Sequence, residues 1–297
     1  MPRTLLLLLA LLPGLALGQD LEPRTYTNLP VGQHFVGVGY VYSDGEINPA
    51  PGVPIEDAEI TIKGTAAAYV RSLDLWGKAG KIDAAVLRTC FEGEALFRGE
   101  LVRGDRCGLA DPSVRLSYLF YGAPAMDLKT FLKNPPGLVM GGSLKVRAPL
   151  GQYNNENLIN HGANRWEFKP ELGISNRWGN WSAEAAFSAA FFTENDRFAG
   201  QDRLEQDPLY QVQGHLIYHF RRNRWISING NYFWEGRTER NGVKQPDRQE
   251  NSRIGVTLAW PLSPQHSLKF YANRGVVTRI GNDSDTYGVV WQYRWGD

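Results

Sequence analysis

"TYGVVWQYRWGD", residues 286–297, decides the fold. Tyr287, Val289, Trp291, Tyr293 and Trp295 stand at every second position, with Gly288, Gln292 and Arg294 between them. Side chains of a strand alternate between its two faces, so this row makes one apolar face and leaves the other polar. Chain ends are ordinarily frayed and polar. An apolar row this late fits a strand that faces something greasy.

The same alternation recurs upstream. In "ISINGNYFWE" (226–235), Ile226, Ile228, Gly230, Tyr232 and Trp234 share a face; in "RIGVTLAW" (253–260), Ile254, Val256, Leu258 and Trp260 do. In "QVQGHLIYHF" (211–220), Val212, Gly214, Leu216, Tyr218 and Phe220 oppose Gln211, Gln213, His215, Ile217 and His219. Such segments are strands with one apolar and one polar face. Strands are expected near 33–42, 57–72, 80–88, 112–121, 138–148, 164–176, 181–193, 209–220, 225–235, 250–260, 267–278 and 286–295. That is about twelve, each long enough to cross a membrane when tilted.

The connections alternate between short ones, such as "WGKAG" (76–80) and "RWGN" (177–180), and long polar ones, such as "LGQYNNENLINHGANR" (150–165) and "GRTERNGVKQPDRQE" (236–250). Short periplasmic turns and long external loops mark an outer-membrane barrel. "GAPAMDLKTFLKNPPG" (122–137) is long on the short-turn side and is expected to carry a helical turn near residues 128–132. Tryptophan favours membrane interfaces. Trp76, Trp178, Trp181, Trp260 and Trp295 adjoin the short turns or the end of the chain and are expected to form an aromatic girdle. Trp225 is also there but on the polar-face parity, which calls for a bulge or a shifted register. The fold class is therefore all-β: a transmembrane antiparallel β-barrel of about twelve strands with short periplasmic turns and long external loops.

"MPRTLLLLLALLPGLALGQD" has a basic residue, an apolar run and small residues before Gln19, the parts of a secretory signal peptide. The expected organisation is a signal peptide over 1–18, a periplasmic segment over 19–32 and an outer-membrane barrel over 33–297. With 32 basic and 31 acidic residues and no basic run beyond "RRNR" (221–224), the chain lacks the basic face that nucleic acid requires.

"LADPSVRLSYLFYGAPAM" (109–126), "PLGQYNNENLINHGANRWEFKPELG" (149–173), "FFTENDRF" (191–198), "EQDPLYQVQGHLIYHF" (205–220) and "HSLKFYANRGVVTR" (266–279) resemble the bacterial outer-membrane family named for the phenol meta-pathway (MetA-pathway) of degradation, described as transporters. The resemblance runs from about residue 30 to the C-terminus. It implies an outer-membrane barrel and passage of small solutes, aromatic or hydrophobic among them. It brings no catalytic or substrate-contact residues. "TYGVVWQY" (286–293) also resembles the C-terminal signal that the barrel-assembly machinery reads, although Gly296 and Asp297 follow the last aromatic.

A closed barrel would turn the polar faces into a lumen lined by Arg115, Lys145, Arg147, Glu167, Lys169, Glu171, Glu184, His215, His219, Arg253, Lys269 and Arg294. Lys145 and Arg147 are expected to pair with Glu167 and Glu171 on the next strand, as a charge-sorting constriction or as a structural ladder. Glu59, Lys63 and Glu235 join the same polar faces. On a strand His215 and His219 lie about 13 Å apart, too far for one metal ion. Cys90 and Cys107 are expected to form a disulfide in an external loop. No catalytic motif emerges: His161 has no serine motif beside it and there is no G-x-S-x-G. No enzyme activity, metal or cofactor is expected. Carboxylates in "TENDRF" and "DRLEQD" read as solvated loop charge that bridges lipopolysaccharide through divalent ions. The expected partners are outer-membrane lipid, lipopolysaccharide, the assembly machinery and a small solute. The expected function is passive or weakly selective passage of that solute; the alternative is a non-conducting barrel whose external loops bind a partner.

Overall fold

The computed structural model describes residues 21–50, 55–97, 99–157, 159–221 and 223–296. The signal peptide expected over 1–18 lies outside them. In chain order the strands are β1 (His34–Asn48), β2 (Ile55–Leu75), β3 (Lys78–Phe97), β4 (Glu100–Leu109), β5 (Ser113–Tyr121), β6 (Val139–Arg147), β7 (Glu167–Trp178) and β8 (Trp181–Phe192). There follow β9 (Asn195–Phe198), β10 (Asp202–Gln206), β11 (Leu209–His219), β12 (Trp225–Glu235), β13 (Thr238–Arg240), β14 (Val243–Lys244), β15 (Gln249–Pro261), β16 (His266–Thr278) and β17 (Gly281–Trp295). One helical turn, α1 (Leu128–Phe131), sits in the β5–β6 connection, where Asp127 caps it by accepting from the Thr130 amide.

Among the described residues thirteen strands share one sheet, which closes because β2 pairs with β3 as well as with β1. β4 stands outside the ring, so twelve strands make the wall. All neighbours are antiparallel, and each of the twelve overlaps a strand expected from periodicity. The seam pairs Val36 with Tyr293, Val38 with Trp291, Tyr40 with Val289 and Tyr42 with Tyr287. Closure leaves the ring without an exposed edge, which is what a membrane demands of backbone N–H and C=O groups.

The burial pattern is inverted relative to a water-soluble sandwich. Outward rows carry exposed Val38, Tyr40, Leu116, Leu172, Leu216, Ile228 and Val256, whereas the buried set includes Gln211, Gln213, His215, Asn229, Asn231, Asn251, Glu171 and Glu184. Water would penalise so large an apolar exterior; hydrocarbon favours it. Trp76, Trp178, Trp181, Trp260 and Trp295 are all exposed on the outer surface near the short-turn end. Trp76 is 88% exposed at the tip of the β2–β3 turn. That two-residue turn takes positive φ at Trp76 and Gly77, as a type I′ hairpin requires, and Asp74 accepts from the Gly77 amide. Trp225 faces inward without any bulge, buried with Ile217 and Ala259, so it is not part of the girdle.

The far end of the barrel is more ordered than a set of polar loops. β3 pairs through residues 80–85 with β5 and through residues 88–97 with β4. Cys90 and Cys107 sit directly opposite in that hairpin as a disulfide, with Cα atoms 3.9 Å apart. Glu59 and Lys63 point outward, not into the lumen: Lys63 stands opposite the outward Tyr42, and its Nζ meets Glu92 Oε1 at 3.1 Å in an exposed pair. β9, β10, β13 and β14 pair into a separate four-stranded sheet. Its carboxylates are held by cations: Asp202 by Arg240, Glu194 and Glu205 by Arg203, Asp207 by Lys244. The Asp202–Arg240 pair is largely buried, whereas the pairs of Arg203 and Lys244 remain open to solvent.

Candidate functional site

The polar side chains converge on the barrel interior. Arg115 (β5), Lys145 and Arg147 (β6), Glu167, Lys169 and Glu171 (β7), Glu184 (β8), His215 and His219 (β11), Arg253 (β15), Lys269 (β16) and Arg294 (β17) all occupy the parity opposite the exposed apolar rows. Arg147 Nη1 meets Glu167 Oε2 at 2.7 Å. The rest of the expected opposite-charge ladder is corrected by the register. Lys145 stands opposite Lys169 on one side and Arg115 on the other, so three cations line up across β5, β6 and β7. Like charges directly opposite destabilise a sheet.

The counter-charge arrives from a segment expected to stand in the periplasm. Residues 21–26 instead run inside the barrel, where Glu22 Oε2 lies 2.5 Å from Arg115 Nη1 and Oε1 lies 3.6 Å from Lys145 Nζ. Asp83 adds a second carboxylate 3.4 Å from Arg115 Nε. Burial opposes ionisation of Glu22, but Arg115 and Lys145 outweigh it and hold its carboxyl well below the usual carboxylate range. The amides of Thr25 and Tyr26 donate to Glu184 at 2.9 and 3.3 Å, and Ser175 Oγ donates to the Tyr26 carbonyl at 2.8 Å. The Arg24 guanidinium lies 5.4 Å from the ring centroid of the inward-facing Trp225. Further along, Ser72 Oγ donates to the Pro30 carbonyl and accepts from the Gln33 amide.

The opposite wall is rich in amide, hydroxyl and imidazole side chains. Lys169 Nζ donates to Gln211 Oε1 at 2.5 Å, and Gln213 Nε2 donates to Glu171 Oε2 at 3.1 Å. His215 Nδ1 lies 2.9 Å from Asn229 Oδ1, whose amide nitrogen donates to Thr257 Oγ1. His219 Nε2 lies 2.8 Å from Ser182 Oγ, so the two histidines belong to separate hydrogen bonds. Arg253 donates to Asn273 Oδ1 and the Ser284 carbonyl. Arg294 lies apart from these, its guanidinium on the Pro264 carbonyl at the β15–β16 turn. Lys269 stands between Ala259 and Val290.

At the far end the β6–β7 connection also folds inward. Ile159 packs against an apolar cluster of Ile47, Ile60, Ile62, Phe91, Phe97 and Ile280. His161 is buried, with Nδ1 2.7 Å from Thr89 Oγ1 and its ring 4.6 Å from Phe91. Asp111 ties down the connection by accepting from the Gly151 and Ala163 amides. Burial, aided by Arg106 and Arg88, pushes the His161 imidazole below its ordinary 6.5. A histidine whose folded value is depressed stabilises in its neutral form, so its contribution is present above about pH 6.5 and is lost as pH falls below it. Amide protection of Gln152 and Gly162, corrected for intrinsic exchange, is therefore expected to fall between about pH 7.5 and pH 5 and to become pH-independent in His161→Phe.

Periodicity missed Lys81 and Asp83, although both fall on the inward parity of β3. It had no means of finding Glu22 or Tyr26, which lie in no strand. A family model described as "Putative MetA-pathway of phenol degradation" matches residues 53–291. No curated protein matches the sequence. Among solved structures, an outer membrane channel from Pseudomonas putida F1 superposes with a TM-score of 0.76 at 20% identity, covering 93% of this chain and 100% of that one. The transport unit of the autotransporter AIDA-I from Escherichia coli gives 0.53 at 9% identity, covering 92% of each chain.

Proposed function

The chain belongs to the MetA-pathway of phenol degradation family, and from that premise we propose that it is an outer-membrane channel for passive or weakly selective passage of small solutes, aromatic or hydrophobic among them. The observation that carries this reading is the closed ring of twelve strands with apolar rows outside and charged and amide side chains inside. Such a wall needs lipid around it and leaves a polar route within. We read the protein as a transporter rather than an enzyme. Export through the signal peptide, recognition of β17 by the barrel-assembly machinery and contact with lipopolysaccharide at the outer rim belong to the same proposal. Reconstituted protein is expected to give discrete conductance steps in planar bilayers and solute-dependent swelling of vesicles. A folded, heat-modifiable barrel that neither conducts nor passes solute would sink it.

One observation favours the second reading, a non-conducting barrel whose external loops bind a partner: residues 21–26 and the β6–β7 connection both occupy the interior. The same vesicle assay separates the two.

A further inference from the structure

The side chain of Tyr26 is a phenol carried on the protein's own chain, and it is fully buried against the inner face of the barrel wall. Its ring lies over two glycines on neighbouring strands. A Cβ on Gly173 would stand 2.1 Å from the ring and one on Gly141 would stand 3.1 Å from it, so any other residue at 173 would fill the space the ring takes. Leu119, Val139 and Ala186 complete the apolar surround. At the polar end the Tyr26 hydroxyl donates to Glu171 Oε1 at 3.0 Å. An apolar, glycine-floored slot closed by the Glu171 carboxylate, with the Ser143 hydroxyl beside it, suits a phenol, and a plain hydrocarbon would leave these polar partners unused.

We propose that this slot is a binding site for simple phenols and that Tyr26 is its internal occupant, displaced when a phenol enters. The proposal deepens the channel reading, on which it rests only in that solute must reach the interior. Residues 21–33 belong to no strand, so moving Tyr26 breaks no ladder. What must be released is the Glu171 bond, the two amide bonds to Glu184 and the Ser175 bond. A tethered occupant acts at a high effective concentration, so a free phenol binds the wild type more weakly than it binds an emptied slot.

Two measurements on the full chain in detergent test this. In the wild type, phenol is expected to speed amide exchange across residues 22–28 without changing the strands, and toluene at the same concentration is expected to do so far less. By equilibrium dialysis, Tyr26→Ala is expected to bind phenol at least about tenfold more tightly than wild type, a difference of about 1.4 kcal/mol. Adding Gly173→Val, which refills the slot, should abolish that gain. Exchange unmoved by phenol in the wild type overturns the proposal, as does Gly173→Val leaving phenol affinity unchanged. If Tyr26→Ala fails heat-modifiable migration, the wild-type exchange decides alone. Neither readout needs conduction, so failure to conduct sinks the channel reading and leaves the slot to be judged here.

Discussion

Ile228→Arg is expected to destabilise the folded barrel by about 2–4 kcal/mol, the cost of an Arg on the lipid face near the bilayer midplane. Ile228 is 58% exposed in the middle of β12, level with Leu216 on β11 and Val256 on β15. An apolar side chain that open would bring no penalty for polar replacement in water, since surface substitutions usually stay within about 0.5 kcal/mol. The control is Val243→Arg on β14, at a position 63% exposed in the sheet built by the outer loops. Both residues are equally open, and only the surrounding solvent differs. Reversible denaturant unfolding in lipid vesicles should separate the two variants by most of the predicted cost. If both behave alike, the outer wall does not face hydrocarbon.

The wall was legible in the sequence because lipid imposes a strict rule on each strand separately. The alternation of Tyr287, Val289, Trp291 and Tyr293 appears in the structure as one outward row, whose register partners are Tyr42, Tyr40, Val38 and Val36. The rule is local, so it assigns faces without assigning neighbours. Arg115, Lys145 and Lys169 were legible as inward residues, yet that they stand abreast depends on register, which three separate alternations leave free. Trp225 shows the same limit from the other side: its parity points inward against the interface preference of tryptophan, and the Arg24 guanidinium 5.4 Å from its ring belongs to a segment that no alternation places. The inward course of residues 21–26 has no periodic signal at all. "LEPRTYTNLPVGQ" reads as a loop, and its place is set by scattered contacts to Glu171, Glu184, Arg115 and Ser72.

Glu22→Gln is expected to turn the weakly selective lumen toward anions. The barrel wall itself places Arg115, Lys145 and Lys169 in a row, and the acid that answers the first two is borne by a segment that is not part of the wall. At about 4 Å and an effective dielectric of about 20, one charge pair is worth about 4 kcal/mol before screening. Glu22 retains partial solvent access and Asp83 remains beside Arg115, so only a fraction of that survives. A fraction of about 1.4 kcal/mol is enough for about a tenfold rise in the chloride-to-potassium permeability ratio. Reversal potentials across a salt gradient measure it, and the shift should shrink as ionic strength rises and the Debye length contracts. Lys145→Gln in the Glu22→Gln background removes the uncompensated cation and should return the ratio toward wild type. A reversal potential unchanged by Glu22→Gln would mean that permeating ions do not pass the row, and that the three cations and their carboxylate hold the wall together without sorting what crosses it.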